Sequence, residues 1–162
     1  MYGDFYIYDV NECTTDTIYS KIKELENIYK FDLIVVDYLG IMEAVKKSSQ
    51  LWERERQIAL ELKQLARRLN TPIITVMQVR KKAGEESKKR DFEAEDVALS
   101  YEIIMQSDIF FTWQVQDEEG LLISPVCQVN VVLKKVRNNP RGKFSCIADF
   151  EKMRVVECTR GF

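Results

Sequence analysis

A chain of 162 residues, 46% hydrophobic and 31% charged, with a formal net charge of -2, has the makings of one globular domain with a real core spanning 1–162. No global field draws it onto nucleic acid, so any such contact must come from local clusters. Histidine is absent and the four cysteines, Cys13, Cys127, Cys146 and Cys158, form no C-x-x-C pair, which excludes the common zinc sites and histidine-dependent catalysis. Widely spaced thiols fit small apolar core groups in a reducing cytoplasm. No apolar run approaches the roughly 20 residues that cross a bilayer, and MYGDFYIYDV has no basic stretch before an apolar one, so the expectation is a cytoplasmic protein with no membrane partner.

Phe5 to Tyr8 is an aromatic and β-branched run that predicts a strand ending at Asp9. Thr14, Thr15 and Asp16 supply helix-start chemistry, and Ile18, Ile22, Leu25 and Tyr29 recur at helical spacing. Phe31 to Met42 (FDLIVVDYLGIM) follows. Its unbroken apolar run Leu33–Val36 predicts a central parallel strand buried on both faces, and strand, helix, strand in this order is a βαβ rhythm. The run stops at Asp37, placing a carboxylate at the carboxyl end of a strand, the edge where open α/β sheets bind ligands. An acid there suits Mg²⁺ beside a nucleotide's phosphates, or equally a helix cap or a lysine partner.

Leu51, Ile58, Leu62, Leu65 and Leu69 trace the apolar stripe of a long helix, with Glu53, Arg54, Glu55, Arg56, Glu61, Lys63, Arg67 and Arg68 assigned to the solvated side. Asn70 and Pro72 end it. Ile73 to Met77 reads as a second short strand closing on Gln78, an amide able both to donate and to accept at a phosphate. Arg80 to Arg90 is basic and poor in apolar residues, a solvated loop or a phosphate-backbone contact through Lys81, Lys82, Lys88, Lys89 and Arg90. A helix is expected within Phe92–Ser107, then strands at Ile109–Trp113, Leu121–Ile123, Val126–Val136, Lys143–Asp149 and Met153–Glu157. The Asn, Pro and Gly of Arg137–Gly142 make a turn, so the last third should be antiparallel.

Taken together these segments resemble the DnaB-type replicative helicases, hexameric motors with a RecA-like core. FDLIVVDYLGIM resembles their Walker B strand with Asp37 at the metal position. LWERERQIALELKQLARRLNTPIITVMQ is similar to their helix, turn and sensor strand, with Gln78 at the phosphate-sensing glutamine. DVALSYEIIMQSDIFFTW resembles the segment running from a DNA-facing loop through an Asp-ended helix to the next strand, although Ala98 and Tyr101 stand where those helicases carry an arginine and a glycine. KKVRNNPRGKFSCIADF is close to their K-x-R-N-G-P-x-G hairpin, which puts Lys135 at a phosphate-contacting lysine and Arg137 at the arginine finger.

The resemblance implies an α/β, RecA-like fold with parallel strands first and an antiparallel hairpin last. It further implies ATP and Mg²⁺ in the complete site, single-stranded DNA as a partner, and other copies in a ring. Nothing in the chain reads G-x-x-x-x-G-K-[ST], so the P-loop strand and helix are missing from these residues and ATP turnover unaided is not expected. A RecA-like sheet without its P-loop strand should expose unpaired edges and apolar surface, to be covered by a P-loop-bearing polypeptide or by oligomerisation. Two other readings stand beside the motor half. One is a non-catalytic assembly subunit lending Arg137 alone. The other is a response-regulator-like receiver using Asp37, for which the required Lys-Pro is absent.

Overall fold

The computed structural model describes residues 3–45, 50–77, 101–115 and 125–160, with the side chains at 51–52, 101–102 and 157–160 left aside. Two compact units emerge, Met1–Gln106 and Ser107–Phe162.

In the first unit, α1 (Thr15–Leu25) starts on a reciprocal cap in which the Thr14 hydroxyl accepts from the Thr17 N–H and the Thr17 hydroxyl accepts from the Thr14 N–H. Strand β1 (Ile34–Val36) leads through a 3-10 turn (Leu39–Ile41) toward α2 (Leu51–Leu69), which ends on Asn70 in the left-handed conformation, φ 51°. β2 (Ile73–Thr75) then pairs parallel to β1 in the register Ile34 to Ile73 and Val36 to Thr75. The short helix α3 (Tyr101–Gln106) completes the unit. The remainder of the helix expected from Phe92, and the strand expected at Leu121–Ile123, lie outside the described residues.

The core of this unit forms because the stripe on α2 meets one face of the two strands. Val36, Leu39, Met42, Ala44, Ile58, Leu62 and Ile103 are buried together, with Ile34, Ile73, Met77, Ile18 and Cys13 packed against them. Burial raises the pKa of the Cys13 thiol, consistent with a packing role. Arg68 of α2 lies 3.5 Å over the Tyr19 ring of α1 and ties the two helices at their surface.

Two sequence expectations need correction here. β1 is not buried on both faces: Val36 is buried, but Val35 is 60% exposed and Leu33 is exposed beside it. The paired residue Ile74 and its neighbour Val76 are exposed as well, so the outer face of the two-stranded sheet is a bare apolar strip. The apolar run reads as a strand made for two covers, and among the described residues only one is present. Phe5 to Tyr8 joins no sheet among the described residues. It keeps a strand's alternation all the same, with Phe5 81% and Ile7 84% exposed while Tyr6 packs 4.2 Å, centroid to centroid, from Tyr29. The segment is held by aromatic packing instead of a backbone ladder.

In the second unit the antiparallel expectation holds. β3 (Ile109–Val115), β4 (Val126–Val136), β5 (Gly142–Asp149) and β6 (Arg154–Arg160) form a meander in the order β3-β4-β5-β6. Val129, Val131, Cys146 and Ala148 are the buried apolar residues of the two central strands, and the pairings Val129 to Cys146 and Val131 to Phe144 place them on one face. The β5–β6 turn is fastened by Asp149, whose carboxylate accepts from the Lys152 backbone N–H at 3.0 Å and from its ammonium at 2.9 Å. The ammonium, and next the backbone donor, hold the Asp149 carboxyl below the usual carboxylate range against the opposing effect of burial.

Candidate functional site

Asp37 follows β1 directly and is exposed at its carboxyl end. Three contacts fix the backbone around it. The Thr75 hydroxyl donates to the Val36 carbonyl at 2.9 Å, and the Leu39 N–H donates to the Val76 carbonyl at 3.0 Å, extending the parallel pairing past Asp37. Arg54 of α2 donates from Nη2 to the Gly40 carbonyl at 3.1 Å, anchoring the 3-10 turn beyond it. At Gly40 a β-carbon would stand 2.6 Å from Cε2 of the Tyr38 ring, so any side chain there must displace that ring.

Because β1 and β2 run parallel, their carboxyl ends share one rim. The chain leaves that rim at Met77, and Gln78 lies outside the described residues. So do Lys81, Lys82, Lys88, Lys89 and Arg90.

The loop beyond the turn is pinned by a residue that helical periodicity misassigned. Glu61, expected on the solvated side of α2, is only 9% exposed. Its carboxylate accepts from the Thr15 hydroxyl and the Val45 N–H, each at 3.3 Å, and from Gln57 Nε2 at 3.0 Å. One acid thus joins α1, the post-β1 loop and α2, and no local pattern in the sequence signals donors that distant. An open groove of about 410 Å³ lined by Thr15, Tyr19, Gln57, Glu61 and Arg68 includes none of the residues nominated from sequence, and its buried acid is already satisfied.

In the second unit, Lys135 and Arg137 sit at the tip of β4. β5 ends its pairing at Leu133 with Gly142, so beyond that point β4 is paired by β3 alone. Leu133 faces Phe111 and Lys135 faces Phe110, skipping Lys134. That skipped residue changes the alternation, turning Lys135 onto the face opposite Leu133 and Phe111. Arg137 continues on the side of Lys135, as their spacing requires. Its N–H donates to the Asp108 carbonyl at 2.8 Å, and its Nη1 lies 3.1 Å from Asp108 Oδ1. Arg137 and Asp108 are 53% and 51% exposed, so this is a surface pair and not an internal one. Asn138 then enters the left-handed region at φ 68° to begin the turn.

Among the described residues no three His, Cys, Asp or Glu gather to form a metal site. A lone rim carboxylate still fits Mg²⁺, which is usually held by one or two carboxylates, water and substrate phosphates.

A family model described as the DnaB-like helicase C terminal domain matches residues 2–156. Replicative DNA helicase DnaB of Mycoplasma pneumoniae is 30% identical over 161 residues, covering 93% of this chain and 34% of that protein. The corresponding protein of Mycoplasma genitalium is 27% identical over 85% of this chain and 30% of its own length. The chain therefore spans about one third of the curated relatives it matches. Among solved structures, the ATPase domain of G40P superposes with a TM-score of 0.75 at 24% identity, over 92% of this chain and 53% of that one. A DnaB-like replicative helicase described with its primase interactions gives 0.71 at 24% identity, over 86% of this chain and 34% of that one. These likenesses bear out the RecA-like fold, and with the match across nearly its whole length the chain belongs to the DnaB-like helicase C-terminal domain family.

Proposed function

We propose that these residues form the Walker B, sensor and arginine-finger half of a DnaB-type ATPase site, completed by a P-loop-bearing half lying outside the 162 residues. The observation that carries this reading is the bare apolar strip of Leu33, Val35, Ile74 and Val76, on a strand pair whose carboxyl rim bears Asp37. Contiguous apolar surface of this kind marks an interaction face, and the chain covers only 53% of the G40P ATPase domain it superposes on. The P-loop half is the occupant that supplies both the missing cover and the missing phosphate cradle.

In that site Asp37 would hold Mg²⁺, directly or through water, and the ion would neutralise charge on the ATP phosphates. Gln78 would report the terminal phosphate. Lys135 and Arg137 act from a neighbouring protomer, where a planar guanidinium gives bidentate support to charge on the equatorial oxygens. Copies arranged in a ring would supply that neighbour, and single-stranded DNA is the expected substrate of the assembled motor. The relative described with primase interactions suggests primase as a further partner.

The test is ATP hydrolysis by this chain mixed with the P-loop half of the Mycoplasma pneumoniae relative. Turnover should require both polypeptides, fall to background with Asp37→Asn, and fall by about 10³-fold or more with Arg137→Ala. Loss with Arg137→Ala while Asp37→Asn retains full turnover would instead make the chain a donor of the finger alone.

A further inference from the structure

Arg137 carries a feature that the family resemblance does not assign. The Asp108 carboxylate stands 3.1 Å from its guanidinium, and the Asp108 carbonyl takes its backbone N–H at 2.8 Å. The two contacts divide the work. The backbone bond continues the β3–β4 ladder by one rung and fixes where the Arg137 side chain begins, whereas the ion pair only sets where it ends. Breaking the second leaves the first intact, so the guanidinium can swing with no movement of the strand.

We propose that Asp108 is a positioning residue for Arg137: its carboxylate parks the guanidinium at the β4 tip and yields it to the phosphate chain of a nucleotide held by a neighbouring protomer. This rests on the reading of Arg137 as a finger acting in trans. Three observations support it. The segment Lys134–Lys143 carries five cationic residues, Lys134, Lys135, Arg137, Arg141 and Lys143, and no acid. Asp108 meets the guanidinium of this segment from the residue just before β3. The pair is half exposed on both sides, and in water such a pair shifts an equilibrium by about fivefold at most. A polyphosphate, with more charge and a bidentate fit to the same fork, outcompetes a single solvated carboxylate. Asp108 is thus strong enough to order Arg137 when phosphate is absent and weak enough to release it. A buried carboxylate at the same distance would trap it.

The test uses the full chain labelled with ¹⁵N, following the Arg137 Nε–Hε signal, assigned by its loss in Arg137→Lys, during titration with inorganic tripolyphosphate. Asp108→Asn removes the competing charge and keeps the carbonyl rung. It should lower the midpoint about two- to fivefold and broaden the free signal as the side chain loses its fixed pose, with the backbone amide spectrum unchanged. Asp108→Glu keeps the charge and should stay near the wild-type midpoint, a rescue that a purely structural role does not predict. If the Arg137 signal moves equally in wild type and Asp108→Asn with one midpoint, Asp108 does not compete and the inference is overturned while the finger reading stands. If tripolyphosphate moves the signal in none of the variants, the finger reading is overturned and this inference with it.

Discussion

The two units solve the same problem, covering a sheet, in opposite ways. In Ser107–Phe162 each strand pairs with the next along the chain, and β4 and β5 bury Val129, Val131, Cys146 and Ala148 on strands of 11 and 8 residues. In Met1–Gln106 the parallel strands β1 and β2 are 3 residues each, are joined through α2, and are covered by the described residues on one side only. Antiparallel neighbours need only a hairpin, whereas parallel ones need crossovers and helices on both faces. The difference teaches that, among the described residues, the parallel pair keeps one apolar face open, at the same place that presents Asp37.

The largest effect that sharpens this contrast is expected from Ile58→Ala, because Ile58 is fully buried beneath β1 and β2 in the first unit. A Leu- or Ile-to-Ala change in such a core costs about 2–5 kcal/mol. Amide hydrogen exchange should show lost protection in α2, β1 and β2, with β4 and β5 unchanged; equal loss in both units would break the comparison.

A smaller, pH-dependent effect belongs to the second unit. Asp149 titrates below the usual carboxylate range in the folded chain because Lys152 donates to it twice. A depressed folded pKa gives stability that is complete above the unfolded value, about 3.9, and is lost as pH falls through the lower folded value. Denaturation midpoints of wild type and Asp149→Asn should therefore differ at neutral pH and converge below about pH 4. A constant gap across that range would assign the stability to packing.

The smallest effect is expected on the outer face. Val35→Thr keeps β-branching at an exposed strand position, so the free chain's stability should change by no more than about 0.5 kcal/mol. A large loss would mean that Val35 is already covered within the chain.

Much of this architecture is legible from local pattern. The helical stripe ending at Asn70, the antiparallel strands and the turn chemistry of Arg137–Gly142 are short-range signals, and the structure follows them. What periodicity does not convey is who supplies the cover. The run Leu33–Val36 states that a strand has two apolar faces, not that the described residues leave the second one open, and Phe5–Tyr8 has strand composition yet pairs with no described strand. Long-range polar contacts escape for the same reason. Glu61 looks like a wet helix residue until Thr15 and Val45 arrive from other elements, and Asp108 looks like a helix end until Arg137 folds back on it. Of the nominated site, Asp37, Lys135 and Arg137 lie among the described residues, each at the end of a strand, as the sequence anticipates.

Sedimentation of this chain with the P-loop half of the Mycoplasma pneumoniae relative addresses the central claim most directly, in wild type and with Val35→Asp on the bare strip. A one-to-one complex that Val35→Asp abolishes, while the free variant stays folded, is the predicted result. A complex indifferent to Val35→Asp, or no complex at any concentration at which both polypeptides are folded, would contradict the account.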